Sequence, residues 1–484
     1  MRRDDKLIFE KGAEGRIGYS FPNENIPNYH LDEMIPKEQI RENPPKLPAC
    51  NEVEVVRHFT NLSKLNHSID NGFYPLGSCT MKYNPKINET VAMISGFVNL
   101  HPYQPESTYQ GALELMYFLQ QSLAEISGMD EVTLQPAAGA HGELTGMLLI
   151  KAYHDDRGDI NRKTVIVPDS AHGTNPATAA MCGYNVKQVE SDERGRVKLT
   201  ALKEIMSKDV AAIMLTNPNT LGLFEDDILE IQKLAHENGT LLYYDGANMN
   251  AIMGKIRPGD MGFDVLHYNL HKTFSTPHGM GGPGSGAVGV KAKLAPYLPV
   301  PHVKKDEERY YLDCNIPKTI GKVRGFYGNF NVLIRAAAYI LTMGADGLTS
   351  ASEMAVLNAN YLRNKIAERF KIPFGNKCMH EFVADGSSLK QYGLKTLDFA
   401  KTLLDYGVHP PTVYFPLIVN EAMMIEPTET ESKETLDHFI DIVDKILEQA
   451  KIDPEKLKQA PYTTPVRRLD ELKANKEINV RYQK

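Results

Sequence analysis

Between about residue 129 and residue 345, short apolar runs alternate with helix-like stretches, and this alternation leaves few folds open to the chain. Val165-Ile166-Val167, Ala211-Ala212-Ile213-Met214-Leu215 and Thr240-Leu241-Leu242-Tyr243-Tyr244 each have the length and composition of a buried strand. Residues 228–238, between two of these runs, have helical spacing. Parallel strands need a long crossover, and a helix supplies it, so the pattern gives an α/β domain with a mostly parallel sheet. In such a sheet a ligand sits beyond the carboxyl ends of the strands.

The stretches that could carry chemistry each follow an apolar run. Residues 135–143 lead into an apolar helical segment, and small residues there leave helix N–H groups open toward an anion. This stretch is therefore a candidate phosphate seat, although a tight turn with a helix cap would look the same. His172, in the loop after Val167, could stack on a flat ring or simply cap the loop. Residues 216–224 follow the 211–215 run, and their hydroxyls and amides could line a pocket or shape a turn. Asp245 comes directly after the 241–244 run. A carboxylate at a buried strand end is costly unless paired. A protonated pyridine nitrogen would be such a partner, with an attraction of about 4 kcal/mol at roughly 4 Å and an effective dielectric near 20. Ala247 would face the same side as Asp245 if the strand continued.

Further on, Lys272 stands among apolar and aromatic residues, with His271 beside it and the glycine-rich residues 276–286 behind it. A lysine in a partly dry pocket holds its proton less firmly. The neutral amine can then attack an aldehyde. The order of phosphate turn, histidine loop, strand-end aspartate and lysine points to pyridoxal 5′-phosphate carried on Lys272.

The remaining chain frames this region. Residues 1 to about 60 are rich in proline, asparagine and charge, which suggests an irregular arm. The expected division is 1–100 for the arm and irregular segment, 101–345 for the large domain and 346–484 for a small α/β domain. Residues 74–85 read as an ordered loop able to line a site. Helices are expected at 111–127, 354–370, 396–404 and 433–450, with strands near 381–383 and 422–425. Residues 426–432 read as a polar helix start. The net charge of −7 provides no basic field for nucleic acid. Five scattered cysteines without Cys-x-x-Cys spacing fit neither a disulfide framework nor a metal site, and point to the cytoplasm. No apolar run approaches 18 residues, so no membrane span is expected.

Asp245-Gly246-Ala247-Asn248 and His271-Lys272-Thr273-Phe274 resemble motifs of the aspartate-aminotransferase-like family of pyridoxal-phosphate enzymes. Three further stretches are more specific: residues 321–330 (Gly-Lys-Val-Arg-Gly-Phe-Tyr-Gly-Asn-Phe), 424–432 (Met-Ile-Glu-Pro-Thr-Glu-Thr-Glu-Ser) and 462–470 (Tyr-Thr-Thr-Pro-Val-Arg-Arg-Leu-Asp). With them the chain resembles the glycine dehydrogenase (decarboxylating) family, the P-proteins of the glycine cleavage system, in the lysine-bearing half of the split form. The resemblance implies that Lys272 carries the cofactor and Asp245 pairs with its pyridine nitrogen. It implies that His172 and Ala247 cover the two ring faces, that Ala138, Gly139 and Ala140 bind the phosphate, and that His271 shapes the pocket. It also implies glycine as substrate, a lipoylated H-protein as acceptor, and a subunit 1 completing an α2β2 heterotetramer. Another decarboxylase or transaminase of the same fold, or a non-catalytic assembly subunit, remains open from sequence alone.

Overall fold

The computed structural model describes residues 6–18, 27, 29–43, 45–277 and 284–481. Most of the glycine-rich stretch after Lys272, including His278, lies outside the described residues. The chain forms two units, one of Ile69–Pro461 and one of Met1–Ser68 with Tyr462–Lys484.

The larger unit is built on seven strands: β1 (Glu131–Thr133), β2 (Thr164–Pro168), β3 (Asn185–Val189), β4 (Val210–Leu215), β5 (Leu241–Gly246), β6 (Val265–Tyr268) and β7 (Val288–Val290). Their spatial order is β1-β7-β6-β5-β4-β2-β3. Strands β2 to β6 pair in parallel, while β7 is antiparallel to both β6 and β1. All residues of β2, β4, β5 and β6 are buried, which is why these strands are predominantly apolar. Alternate side chains serve opposite faces. Ile166, Ile213, Leu242 and Leu266 join a core with Leu119 and Leu123 of the Gln110–Ser127 helix. Val165, Met214, Tyr243 and Val265 join another with Met147 and Ile150 of the Gly139–Asp156 helix.

Beyond this sheet, β8 (His302–Lys305) and β9 (Tyr310–Asp313) form an antiparallel hairpin. A second sheet holds β10 (Phe382–Asp385), β11 (Thr412–Val413) and β12 (Ala422–Ile425) in the antiparallel order β10-β12-β11. The helices Thr396–Asp405 and Lys433–Ile452 back it, and Phe382, Met423, Phe399 and Phe439 share its core.

One 37-residue helix, Phe330–Ile366, serves both cores. Leu333 and Ala336 pack in the large-sheet core, and Ala359, Leu362 and Ile366 in the small-sheet core. The helix breaks at Gly344, whose φ of 61° and ψ of −176° are non-helical. Among the described residues it alone is long and apolar enough to cross a membrane, and half of its apolar window is buried inside the protein. Both expected divisions, at 100/101 and at 345/346, fall within the larger unit.

The smaller unit corrects the reading of residues 1–60 as wholly irregular. It contains a 12-residue helix, Glu52–Ser63. Asn51 Oδ1 accepts from the Glu54 N–H at 2.9 Å, and Glu54 Oε2 accepts from the Asn51 N–H at 3.0 Å. This reciprocal cap satisfies two otherwise open donors.

Candidate active site

The register between β5 and β6 sets Asp245 opposite His267. Asn175 Nδ2 donates to Asp245 Oδ2 at 3.0 Å, and the Ala247 N–H donates to Oδ1 at 3.0 Å. His267 Nε2 lies 3.4 Å from Oδ1, while its Nδ1 lies 2.6 Å from the Tyr243 hydroxyl. Burial alone would raise the Asp245 pKa. The His267 imidazole, the Asn175 and Ala247 donors and the Lys272 charge outweigh it and hold the carboxyl below its usual range. Asp245 is thus a buried group kept anionic by its surroundings.

Lys272 follows β6 on a tightly pinned loop. Its N–H donates to the Asn269 carbonyl at 3.0 Å, and the Ser275 N–H donates to the Lys272 carbonyl at 3.1 Å. The neighbouring Thr273 is held twice: its Oγ1 accepts from the Met249 N–H at 2.8 Å and its carbonyl from Lys82 Nζ at 2.7 Å. Lys82 is itself buried and paired with Glu429 at 2.6 Å. The Lys272 amine lines a cavity and forms no hydrogen bond or ion pair with another described residue.

That cavity lies past the carboxyl ends of the parallel strands. His172 and Thr174 come from beyond β2, Thr216 and Thr220 from beyond β4, and Asp245, Ala247 and Asn248 from the end of β5. Gly139 and Ala140 enter from the first turn of an 18-residue helix. Gly139 is needed there because a Cβ would lie 2.3 Å from Asn269 Oδ1. Six of the eight sequence-derived residues therefore converge: Lys272, Asp245, His172, Ala247, Gly139 and Ala140.

Ala138 and His271 do not line this cavity. Ala138 precedes the helix, and its carbonyl accepts from the Gly142 N–H at 2.8 Å. His271 turns toward the chain after the glycine-rich segment, where its Nδ1 accepts from the Ser285 N–H at 3.4 Å. The His172 ring meets Phe415 edge-on, with centroids 5.7 Å apart at 71°. Its Nδ1 lies 2.9 Å from Thr174 Oγ1, and that hydroxyl donates to Glu143 Oε2 at 2.9 Å.

Several site residues carry no clear sequence signal. Glu381 Oε2 accepts from the Ser78 N–H at 2.7 Å. Glu426 accepts from the Thr80 N–H at 3.0 Å, the Thr80 hydroxyl at 2.8 Å and Asn248 Nδ2 at 2.8 Å. The polar stretch from Glu426 is therefore more than a helix start, although Ser432 Oγ does cap the last long helix by accepting from the Thr435 N–H at 3.2 Å. Ser78, Thr80 and Ser275 all have left-handed backbones, with φ of 66°, 50° and 53°. Such non-glycine conformations cost about 1–3 kcal/mol each and persist only where the surroundings hold them. Glu143 Oε1, Thr216 Oγ1, Asn269 Oδ1 and both His380 ring nitrogens are buried with no partner among the described residues, and all five belong to residues lining the cavity. Their convergence on one cavity marks where the polar atoms of a ligand would complete them. Glu143, Asp245 and His267 form one acid–histidine cluster, and His380, Glu381 and Glu426 another. The donors already facing Asp245 and Glu426 favour hydrogen-bonded carboxyls over cation ligands.

Comparison with known proteins agrees with this architecture. Residues 24–308 match the family model described as Glycine cleavage system P-protein, and residues 351–463 match Glycine dehydrogenase, C-terminal domain. A protein of Kosmotoga olearia named "Probable glycine dehydrogenase (decarboxylating) subunit 2" is 60% identical over 98% of this chain and 99% of its own length. One of the same name from Caldanaerobacter subterraneus subsp. tengcongensis is 60% identical over 100% of both chains. A crystal structure of glycine decarboxylase (P-protein) of the glycine cleavage system, in inhibitor-bound form, superposes with a TM-score of 0.70 at 20% identity. It covers 86% of this chain and 93% of that one, and the likeness establishes the aspartate-aminotransferase-like fold.

Proposed function

The chain belongs to the glycine cleavage system P-protein family, and on that premise we propose that it decarboxylates glycine and passes the aminomethyl group to the lipoyl disulfide of an H-protein. The observation that carries this reading is the shared cavity of Lys272 and Asp245 beneath an open helix N-terminus. That set fits pyridoxal 5′-phosphate: an amine without a partner among the described residues, a carboxylate held anionic, and polar atoms of the cavity lining that have no partner among those residues. Bound there, the cofactor supplies a sink for the electron pair left when CO2 departs.

The residues divide the work. Lys272 holds the cofactor covalently, and Asp245 keeps its pyridine nitrogen protonated. Gly139 and Ala140 offer N–H groups to the phosphate. His172 and Ala247 bound the two faces of the ring. Ala138 and His271 support from behind, one closing the first helical turn and the other steadying the lysine loop. The Lys272 amine, which lines the cavity, would also be the group to move a proton there. Glycine, the lipoylated H-protein and a companion subunit 1 in an α2β2 assembly are the partners of this reading. Five free cysteines suit a cytoplasmic enzyme.

The test is the visible spectrum of the purified chain loaded with pyridoxal 5′-phosphate, alone and with the companion subunit. A yellow band should appear, shift on adding glycine, and be fixed by borohydride on the peptide containing Lys272. The Lys272→Ala variant should lose the reducible band. An unchanged reducible band in that variant would sink the assignment.

A further inference from the structure

We propose that His380, with Glu381 beside it, seats the carboxylate of the substrate. The inference rests on the glycine reading above and adds to it the group that tells an amino acid from a simple amine.

His380 is only 2% exposed, it lines the cavity, and neither ring nitrogen has a hydrogen-bond partner. An imidazole always carries at least one N–H, and native structures rarely leave a buried donor unpaired. A ligand oxygen arriving in the cavity would complete it. His380 and Glu381 sit just before β10, on the small-sheet side, while Asp245 and His267 come from the large sheet. Lys272 lines the same cavity as Asp245 on the large-sheet side and His380 and Glu381 on the small-sheet side. A substrate whose amino group replaces the lysine amine directs its remaining substituent toward one side. On the Asp245 side it would meet an anion. On the His380 side it meets donors.

The two acids near His380 are not equivalent. Glu426 is satisfied by three donors, as described above. Glu381 has the single Ser78 N–H, and its Oε1 lies 3.7 Å from His380 Nε2, beyond hydrogen-bond reach. Burial and the neighbouring Glu426 raise the Glu381 pKa well above the carboxylate range, so its open oxygen can carry a proton and donate. Burial and the Lys272 charge push His380 down to about 3, so its ring is neutral and donates through one N–H.

No arginine lines this cavity among the described residues. A guanidinium would bind a carboxylate most strongly before CO2 leaves, because the charge disperses as the carbon–carbon bond breaks. Stabilising the starting state in that way raises the barrier. Neutral donors orient the carboxylate while stabilising it less, which suits a group that must depart.

The test compares glycine with methylamine, which has the same amine and no carboxylate. Affinities are read from the visible spectral shift of the pyridoxal-phosphate-loaded chain with its companion subunit. In His380→Leu, glycine affinity should fall roughly tenfold to a hundredfold, the range for a lost hydrogen bond to a charged group. Methylamine affinity should stay within about twofold, since no such bond is lost. His380→Gln, which keeps an amide donor, should recover part of the loss and covers the case in which the leucine variant does not fold. Unchanged glycine affinity in the leucine variant, or equal losses for both amines, overturns the carboxylate seat alone. A wild-type assembly with no cofactor band overturns the functional reading and this inference together.

Discussion

Glu143 carries its carboxyl into the cavity wall within reach of Asp245, and burial together with that charge raises its pKa to about 7. In the unfolded chain the group ionises near 4.5. The raised value contributes stability that is complete below 4.5, declines as pH rises toward 7, and is gone above it. Glu143→Gln cannot ionise and should escape the decline. In the cofactor-free protein it should be about 2–3 kcal/mol more stable than the wild type at pH 8 and nearly equal below pH 5, as read by denaturant unfolding. The same difference at both pH values would contradict this assignment. Legibility in the sequence follows a similar logic of position. Lys272, Asp245, Ala247 and His172 could be read because each follows a buried strand, where chemistry-bearing residues stand out, and Gly139 and Ala140 because they are small residues leading into an apolar helix. His267 and Asn175 acquire their roles only through sheet register and a contact 70 positions long. His380 and Glu381 belong to a different sheet, and no local pattern ties them to the lysine. Ala138 and His271 were legible as neighbours of residues that line the cavity, although neither lines it itself.

At the scale of elements, the buried Lys82 ties three segments together: the loop at 74–85, the lysine loop through the Thr273 carbonyl, and the 426–432 stretch through Glu429. Burial would lower the Lys82 pKa, but Glu429 and Tyr339 more than offset it and keep the ammonium charged. Removing one member of such a pair strands the other without a counter-charge. Lys82→Met should therefore cost about 3–5 kcal/mol in denaturant unfolding, and Lys82→Met with Glu429→Leu should recover most of the loss. A double variant as unstable as the single one would show that packing, not charge, sets the cost. In the large sheet, the elements that the sequence displayed were the fully buried strands β2, β4 and β5. Strand β3 lies at the sheet edge with four of its five residues exposed, so it shows no apolar run. Strands β1 and β7 are three residues long, too short for any periodicity to emerge. The helix Glu52–Ser63 was hidden by the proline-rich residues before it, although its Asn-x-x-Glu cap stands in the sequence.

At the scale of the molecule, the larger unit has two principal sheets with separate cores, and the Phe330–Ile366 helix belongs to both. Its break at Gly344 has open space around the missing side chain but a backbone conformation that glycine alone adopts readily. Gly344→Ala should lower stability by about 1–3 kcal/mol through backbone strain rather than collision. Denaturant unfolding checks this, and an unchanged midpoint would mean that the helix re-forms straight without cost. The active-site loop has a further consequence, in time rather than in space. The Ser78 N–H is held by a carboxylate 303 positions later, and that of Thr80 by one 346 positions later. At translation rates of about 5–20 residues per second, the loop leaves the ribosome tens of seconds before the groups that fix its left-handed backbone exist. The catalytic pocket is therefore finished only once Glu381 and Glu426 have emerged. A nascent chain that ends before residue 381 carries the lysine but neither Glu381 nor Glu426 to complete the wall around it.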